Sequence, residues 1–137
     1  MAYVDDENKN TLVLKNRTNN TEKKIDEKSP ITATFSLSEN IYYAITGEVI
    51  QFDENVIQRI SFKEKDISIL KIAEAAGKIH VLTSKGVFEL SSGKKISVHS
   101  GQPATINPYQ NGLLILWQDG FLEFYKSGQA VKRYSII

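Results

Sequence analysis

The sequence predicts an all-β protein built from three repeated four-stranded antiparallel sheets. From Ile31 onward, short runs of β-branched and aromatic residues alternate with clusters of Gly, Asn, Asp, Ser or Lys, which is typical of strands and turns. The runs fall into three sets of four. In each set a glycine recurs between the second and third runs, at Gly47, Gly86 and Gly120, with spacings of 39 and 34 residues.

Each set defines four predicted strands. The strands of the first set, within 31–62, are Ile31–Ser38, Ile41–Ile45, Glu48–Phe52 and Val56–Phe62. Those of the second set, within 67–99, are Ile67–Ala73, Lys78–Thr83, Gly86–Leu90 and Lys95–His99. Those of the third set, within 104–136, are Ala104–Tyr109, Gly112–Trp117, Phe121–Tyr125 and Ala130–Ile136.

The repeat length and the apolar pattern indicate propeller blades. Tight turns between antiparallel strands need a positive φ, which glycine adopts at low cost, so the recurring glycines have a local cause. A four-stranded unit that repeats about every 35 to 45 residues is the signature of β-propeller blades. The run 113–117 is apolar on both faces, as expected for a strand packed between neighbouring sheets. We therefore expect residues 31–137 to form three propeller blades, a partial β-propeller.

One segment has a competing interpretation. Residues 67–77 contain good helix formers and end in Gly77, which also fits a helix with a glycine stop. The position in the repeat and the β-branched isoleucines favour a strand.

Residues 1–30 differ in composition from the rest. They are rich in Asn, Lys, Asp, Glu and Thr, and such a segment buries too little apolar surface to offset the entropy of ordering. We expect a flexible polar segment with one possible strand at 11–15, and a tail or long loop from Asn16 to Ser29. The run Leu12-Val13-Leu14 suits a strand that completes a blade elsewhere in a ring.

The third repeat resembles a WD-repeat blade. In residues 115–131 an Asp-Gly turn precedes a strand that ends in aromatic residues, and a second glycine turn leads to the outer strand; 81–90 and 44–52 are weaker copies. The sequence departs from that family because Phe124-Tyr125 replaces the Trp-Asp dipeptide, and because neither His80 nor His99 stands in a Gly-His pair. The resemblance implies a rigid platform for assembling protein complexes, usually without catalysis.

Composition narrows the classes of function. Seventeen basic and sixteen acidic residues leave a formal charge of +1, which argues against nucleic acid or an anionic membrane as the main partner. There is no cysteine, which excludes disulfides and thiolate chemistry. No apolar run approaches the ~20 residues that cross a bilayer, and the first ten residues do not resemble a signal peptide. We expect an intracellular protein, in the cytoplasm or the nucleus.

No group of residues predicts catalysis. His80 and His99 have no partner at metal-ligand spacing, and we interpret both as structural residues of strands. The glycines at 77, 86 and 93 are spaced as hairpin turns rather than as a phosphate-binding loop. We predict no catalytic, cofactor-binding or metal-binding residues and no cofactor, and we expect that the protein is not an enzyme.

Three blades are too few to close a propeller, which typically has four to eight. The third unit is strongly apolar, so its uncovered faces would be an aggregation hazard. We expect another copy or a different chain to supply the remaining blades, unless the chain is part of a longer propeller protein. The predicted function is a non-catalytic protein-interaction scaffold; the alternative is a ligand- or carbohydrate-binding propeller module.

Partner contacts are predicted at one apolar run and at several loops. Leu12 and Leu14 belong to the run that could pair with another blade, and Tyr109 beside Pro108 is an aromatic at a loop edge. The remaining candidates lie in loops expected to share one polar rim: Lys63, Lys65, Lys85 and Asp119.

Overall fold

Fourteen strands arranged in four antiparallel sheets make up the described part of the chain, which contains no helix. The computed structural model describes residues 2–37, 40–53, 55–63, 66–97, 99, 101–126 and 129–135, and their side chains except in 53–57 and 129–135. The chain divides into two compact units, Met1–Asp66 and Ile67–Ile137, each with two sheets.

The first unit holds a three-stranded and a four-stranded sheet. The strands of the first sheet are β1 (Ala2–Val4), β2 (Thr11–Asn16) and β3 (Thr21–Asp26), in the order β1-β2-β3. The strands of the second sheet are β4 (Ala33–Leu37), β5 (Asn40–Ile45), β6 (Glu48–Asp53) and β7 (Asn55–Ser61), paired in chain order.

The second unit repeats this arrangement. The strands of the third sheet are β8 (Ile69–Ala75), β9 (Lys78–Thr83) and β10 (Gly86–Glu89), paired in chain order. The strands of the fourth sheet are β11 (Pro103–Tyr109), β12 (Gly112–Trp117), β13 (Phe121–Lys126) and β14 (Gln129–Ser135), also paired in chain order.

The sequence assigned eleven of the predicted strands correctly, but the count of three four-stranded sheets is wrong. There are four sheets, because residues 2–26 form a sheet of their own. The twelfth predicted strand, Lys95–His99, is also wrong: its described residues, 95–97 and 99, form an isolated bridge between Lys95 and Phe88 and a backbone bond from Ile96 to Val87 rather than a strand. Here the Val87 amide donates to the Ser97 side-chain oxygen (3.0 Å), so a hydroxyl takes the place of the ladder carbonyl.

The prediction of a tail or long loop from Asn16 to Ser29 is also wrong. Thr11–Asn16 is a strand, as predicted for 11–15, but it is the central strand of its own sheet and pairs with both β1 and β3. The expected loop contains β3, whose six residues are almost all exposed. A strand that is exposed on both faces has no alternation of apolar and polar residues, so the sequence pattern gives no sign of β3. The turn Arg17–Asn20 closes this hairpin, with Asn20 at φ 56°.

The repeat is visible in backbone detail within the second unit. The first strand of each sheet has a bulge near its start, which leaves Leu70 of β8 and Ala104 of β11 exposed. The two positions are 34 residues apart, the same spacing as Gly86 and Gly120. β8 is a strand and not a helix, so the preferred interpretation of 67–77 is confirmed. Gly47, Gly86 and Gly120 all have positive φ, as their predicted turns require.

Each unit has its own apolar core. In the first unit, Leu12 of β2 packs with residues of β5 and β6 in one buried cluster: Tyr43, Ile45, Ile50 and Phe52, with Ile31. In the second unit the core lies between the third and fourth sheets and includes Leu82, Ile106, Leu113, Ile115 and Trp117.

A buried carboxylate joins the first sheet to the second. Glu27 follows β3 and accepts a hydrogen bond from the Tyr43 hydroxyl (2.6 Å) and two from the Arg59 guanidinium (3.0 Å each). Burial alone would raise the pKa of Glu27, but the Arg59 and Tyr43 bonds outweigh it and hold that pKa below its ordinary value. Burial, with the Glu27 charge, raises the pKa of Tyr43. The hydroxyl therefore stays protonated and donates to the carboxylate.

Candidate interaction surface

Tyr109, the predicted aromatic anchor, lies at the edge of a hollow in the second unit. The hollow has a volume of about 510 Å³ and is flanked by the β8–β9 turn and the β11–β12 turn, with Glu74 on its wall. The Tyr109 side chain is 43% exposed and its ring lies 6.0 Å from that of Phe124. An aromatic side chain held at its base and exposed at its edge is a typical contact residue in protein interfaces.

Both turns beside the hollow are two-residue hairpins with positive φ at each central residue. Ala76 and Gly77 have φ 53° and 77°, and Gln110 and Asn111 have φ 46° and 61°. This is the backbone that a tight hairpin needs, but Ala76 and Gln110 are neither Gly nor Asn and adopt it at a cost of roughly 1 kcal/mol each. The Glu74 carboxylate accepts a hydrogen bond from the Gly77 amide (2.7 Å), which fixes the first turn.

A smaller cavity of about 80 Å³ adjoins the hollow and lies between the third and fourth sheets. His80 of β9 lines it together with apolar groups that include Ala75, Ile96 and Leu113. The residue is only 6% exposed, and its ring atom Nδ1 is buried without a hydrogen-bond partner. Burial lowers the pKa of His80 and outweighs the Glu89 charge and a bond between the ring and the Lys78 backbone, which both raise it, so the imidazole is neutral at pH 7. A buried nitrogen without a hydrogen-bond partner costs ~1–3 kcal/mol, so a water molecule or a ligand group that bonds it from the cavity would be stabilising.

The charged groups near this cavity are already paired with each other. Lys78 Nζ lies 3.4 Å from Glu89 Oε2, and Glu89 Oε1 accepts a hydrogen bond from Ser91 (3.3 Å). Burial would raise the pKa of Glu89, but its bonds to Ser92, Lys78 and Ser91 lower it. The cavity therefore has one positive and one negative group at its mouth.

The opposite end of β12 holds a different cluster. His99 Nε2 lies 2.8 Å from Asp119 Oδ2, and the His99 ring stacks on Phe121 (4.5 Å between centroids, 2° between planes). Its edge meets Trp117 at 4.8 Å. The hydrogen bond from His99 lowers the pKa of Asp119. His99 thus ties the segment before β11 to the β12–β13 turn. The prediction that it belongs to a strand is wrong.

The first sheet has an outer edge with no further strand among the described residues. β1 packs against β4 as β8 packs against β11, so β1, β2 and β3 correspond to the first three strands of a four-stranded sheet. The Glu27 amide donates to the Asn10 carbonyl (2.8 Å). Glu27 and Asn10 are therefore a hydrogen-bonded pair, and such pairs alternate with non-bonded pairs along an antiparallel ladder. Counting back along β3, Thr21, Lys23 and Ile25 bond to β2. Glu22, Lys24 and Asp26 point their N–H and C=O groups outward.

A groove runs beside this edge. It has a volume of about 580 Å³, and its apolar wall is made by Leu14, Ile41 and Phe52. Lys23 contributes to its rim and lies with Nζ 5.3 Å from the centre of the Phe52 ring. Two further cations line it, Lys15 and Arg17, beside one acid, Glu22.

The predicted contact residues do not form one surface. Leu12 is completely buried in the core of the first unit, which leaves its side chain no surface for a partner and corrects that prediction. Leu14 is half-buried and lines the groove beside β3. Lys63 and Lys85 are exposed, and Lys65 lies outside the described residues. Tyr109 and Asp119 are exposed at opposite ends of β12, about 20 Å apart along a six-residue strand.

Three features were not predicted from the sequence. The outward groups of β3 were hidden by its polar composition, and the interpretation of His80 as a structural residue of a strand did not anticipate its buried, unpaired Nδ1. Glu27 stood in the predicted loop. The Asn-rich turn after β2 was the one signal that could have revealed the first hairpin, because Asn16 and Asn19 accept hydrogen bonds from the Thr18 and Thr21 amides (2.9 and 3.2 Å).

Within the described ranges, no group of three or more His, Cys, Asp or Glu side chains is placed to hold a metal ion. The same part of the chain has no helix with the length and apolar character needed to span a bilayer.

Comparison with known proteins places the fold among propeller-like structures. No family model and no curated protein sequence matches the chain. Among solved structures, Hsv2 from Kluyveromyces lactis superposes with a TM-score of 0.71 at 11% identity, covering 98% of this chain and 47% of that one. BBS1N, solved in complex with ARL6DN, gives a TM-score of 0.69 at 13% identity, covering 99% and 48%.

The computationally designed Ika8 protein gives a TM-score of 0.66 at 13% identity, covering 97% of this chain and 48% of that one. Hsv2 and BBS1N are propeller-like all-β proteins. The likeness establishes a propeller-like all-β fold. The chain spans about half the length of these three structures.

Proposed function

We propose that the chain is a non-catalytic protein-interaction scaffold, a partial β-propeller that completes a ring with another chain or another copy. The observation that carries the proposal is the outer edge of β3, where a fourth strand would pair in a full sheet. Outward N–H and C=O groups at Glu22, Lys24 and Asp26 are a template for such a strand.

The groove beside β3 supports strand addition. A strand paired to β3 would place alternate side chains over this groove, against Leu14, Ile41 and Phe52. The lysines of β3 discourage indiscriminate pairing, since charged side chains on an edge strand oppose aggregation. The partner strand therefore needs apolar residues on one face and complementary charges along its length.

Kinship with WD-repeat blades is part of the proposal. The Asp119-Gly120 turn, the recurring bulge of β8 and β11 and the glycine of each turn support it. BBS1N, a propeller-like protein, was solved with a protein partner, which favours the same kind of role here.

The test compares two substitutions at Lys24. Lys24→Pro removes one outward N–H and leaves the bonds between β2 and β3 in place, whereas Lys24→Ala removes the same charge and keeps the N–H. The chain has a mass of 15.4 kDa, so light scattering after size exclusion distinguishes the monomer from a dimer of about 31 kDa or a larger complex with a co-purifying protein.

We expect wild type and Lys24→Ala to assemble and Lys24→Pro to remain monomeric. Far-UV circular dichroism establishes that all three chains are folded. A wild-type chain that remains a well-behaved monomer, alone and in its native extract, contradicts the proposal. Equal assembly of the Lys24→Pro chain contradicts the role of the edge.

A further inference from the structure

The cavity at His80 and the hollow beside Tyr109 adjoin each other. The two share four lining residues: Ala75, Ala76, Asn111 and Gly112. The inner part has a volume of about 80 Å³, which two to three water molecules occupy in the liquid. The outer part, about 510 Å³, has room for a short stretch of peptide. A narrow pocket at the base of a wider hollow suits a single small side chain presented by a loop.

The polar atoms of the inner cavity select a neutral group. The neutral His80 ring offers one donor and one acceptor nitrogen, and Nδ1 is the one without a partner. Lys78 and Glu89 line the cavity but pair with each other (3.4 Å between Nζ and Oε2), so neither charge is left over to hold an ionised side chain. A hydroxyl both donates and accepts, so it can bond Nδ1 in either tautomer of the ring.

The apolar lining selects a short aliphatic body next to that hydroxyl. Ala75, Ile96 and Leu113 surround the cavity, and their contact with a methyl group adds the burial of apolar surface. Serine fits the polar requirement, and threonine fits both requirements. At the mouth, exposed Tyr109 offers an aromatic face to the flanking peptide.

We propose that this space is a binding site for a protein partner's loop that carries a serine or threonine, whose hydroxyl bonds His80 Nδ1. The inference rests on the proposed scaffold function and names a second contact surface, in the second unit, besides the β3 edge in the first. Glu74 and Asn111 at the outer hollow are placed to bond the peptide backbone beside that residue.

The experiment uses two probes that differ only in the hydroxyl. The full chain is titrated with N-acetyl-threonine-N-methylamide and with N-acetyl-valine-N-methylamide, which has nearly the same shape, and binding is followed by nitrogen-15 NMR of the Gly77 and Asn111 amides and the His80 ring. We expect the threonine compound to bind about five- to tenfold more tightly than the valine compound, because one hydrogen bond to a buried polar group contributes about that factor to affinity. We also expect it to shift the His80 Nδ1 resonance.

Two variants make the test specific. His80→Leu removes the unsatisfied nitrogen and keeps an apolar wall, so it should bind both compounds equally; Tyr109→Ser changes only an exposed side chain and should weaken both equally. Equal binding of the two compounds to wild type, no shift at His80, or retention of the preference in His80→Leu overturns the inference.

The two proposals fail separately. If the Lys24→Pro experiment shows assembly through β3 but the threonine preference is absent, the scaffold function stands and water alone occupies the cavity. If the preference is present in a chain that never assembles with any protein, the scaffold function fails and the site is one for a free hydroxyl-bearing ligand.

Discussion

Replacing Glu27 by glutamine should destabilise the first unit through the loss of a single buried charge. The side chain of Glu27 is 3% exposed and receives three hydrogen bonds, one from Tyr43 and two from Arg59. Glutamine keeps the shape but has only one acceptor oxygen, and it turns an NH₂ group toward the guanidinium. The change therefore breaks the contact that joins the end of β3 to β5 and β7.

The expected magnitude follows from the exposure of each partner. The buried Tyr43 hydroxyl donates to a charged acceptor, a bond worth about 1.5–3 kcal/mol. The Arg59 side chain is 43% exposed, so solvent screens its pairing and its share is about 0.5–1 kcal/mol. We expect Glu27→Gln to lower the free energy of unfolding by about 2–4 kcal/mol at pH 7.

The stability that Glu27 contributes should decrease as the pH is lowered. Because the folded-state pKa of Glu27 lies below the ordinary value of 4.5, its stabilisation is complete above that value and is lost as the pH falls through the folded pKa. The difference between wild type and Glu27→Gln should therefore be largest at neutral pH and shrink in acid.

Urea titration followed by circular dichroism at pH 7 and at pH 3 measures this difference. Lys28→Ala is the matched control, because Lys28 is 73% exposed and its ion pair with Glu48 is worth at most about 1 kcal/mol. A Glu27→Gln chain within 0.5 kcal/mol of wild type at pH 7, or a difference that is unchanged at pH 3, would refute the reasoning.

Three other predictions concern the second unit. Gly112→Ala should lower the free energy of unfolding, measured by urea titration, by about 1–3 kcal/mol, because the new Cβ would lie 2.5 Å from a backbone oxygen of β13. Gly101→Ala is the control: its Cβ would meet only atoms at 3.6 Å or beyond, so the free energy of unfolding should hardly change. Ala76→Gly should raise the unfolding midpoint, since it relieves a positive φ; no gain would argue against strain there. Carbon-13 NMR should find the Asp119 carboxyl pKa below its ordinary value of 3.8 and closer to it in His99→Leu; an unchanged pKa would exclude the His99 bond as its cause.

The fold of residues 31–137 was largely predictable because its strands alternate with turns of recognisable chemistry. β9 and β12 were predicted to the residue, since the Ala76-Gly77 and Asn111-Gly112 dipeptides mark where they begin. Strand prediction failed at Lys95–His99 because pattern alone cannot show that the Ser97 hydroxyl replaces a ladder carbonyl.

The first sheet was not predicted because β3 is stabilised by hydrogen bonds to β2 rather than by buried apolar side chains. Its hydrogen bonds to β2 form a hairpin of mostly polar residues, and Glu27 is anchored by Tyr43 and Arg59, which are distant in sequence. A local count of apolar residues detects neither. The same limit applies to the candidate site. Tyr109 could be selected from its neighbours Pro108 and Asn111, but the cavity at His80 depends on the packing of two sheets against each other.

Amide hydrogen exchange along β3 shows whether its outer edge is open in the isolated chain and covered in the assembly. In the isolated chain, we expect fast exchange at Glu22, Lys24 and Asp26 and protection at Lys23 and Ile25, which bond to β2. In the assembly, the first three amides should become protected while the other two stay as they were. Protection of Glu22, Lys24 and Asp26 in the isolated chain, or fast exchange at all three in the assembled form, would contradict a scaffold completed at this edge.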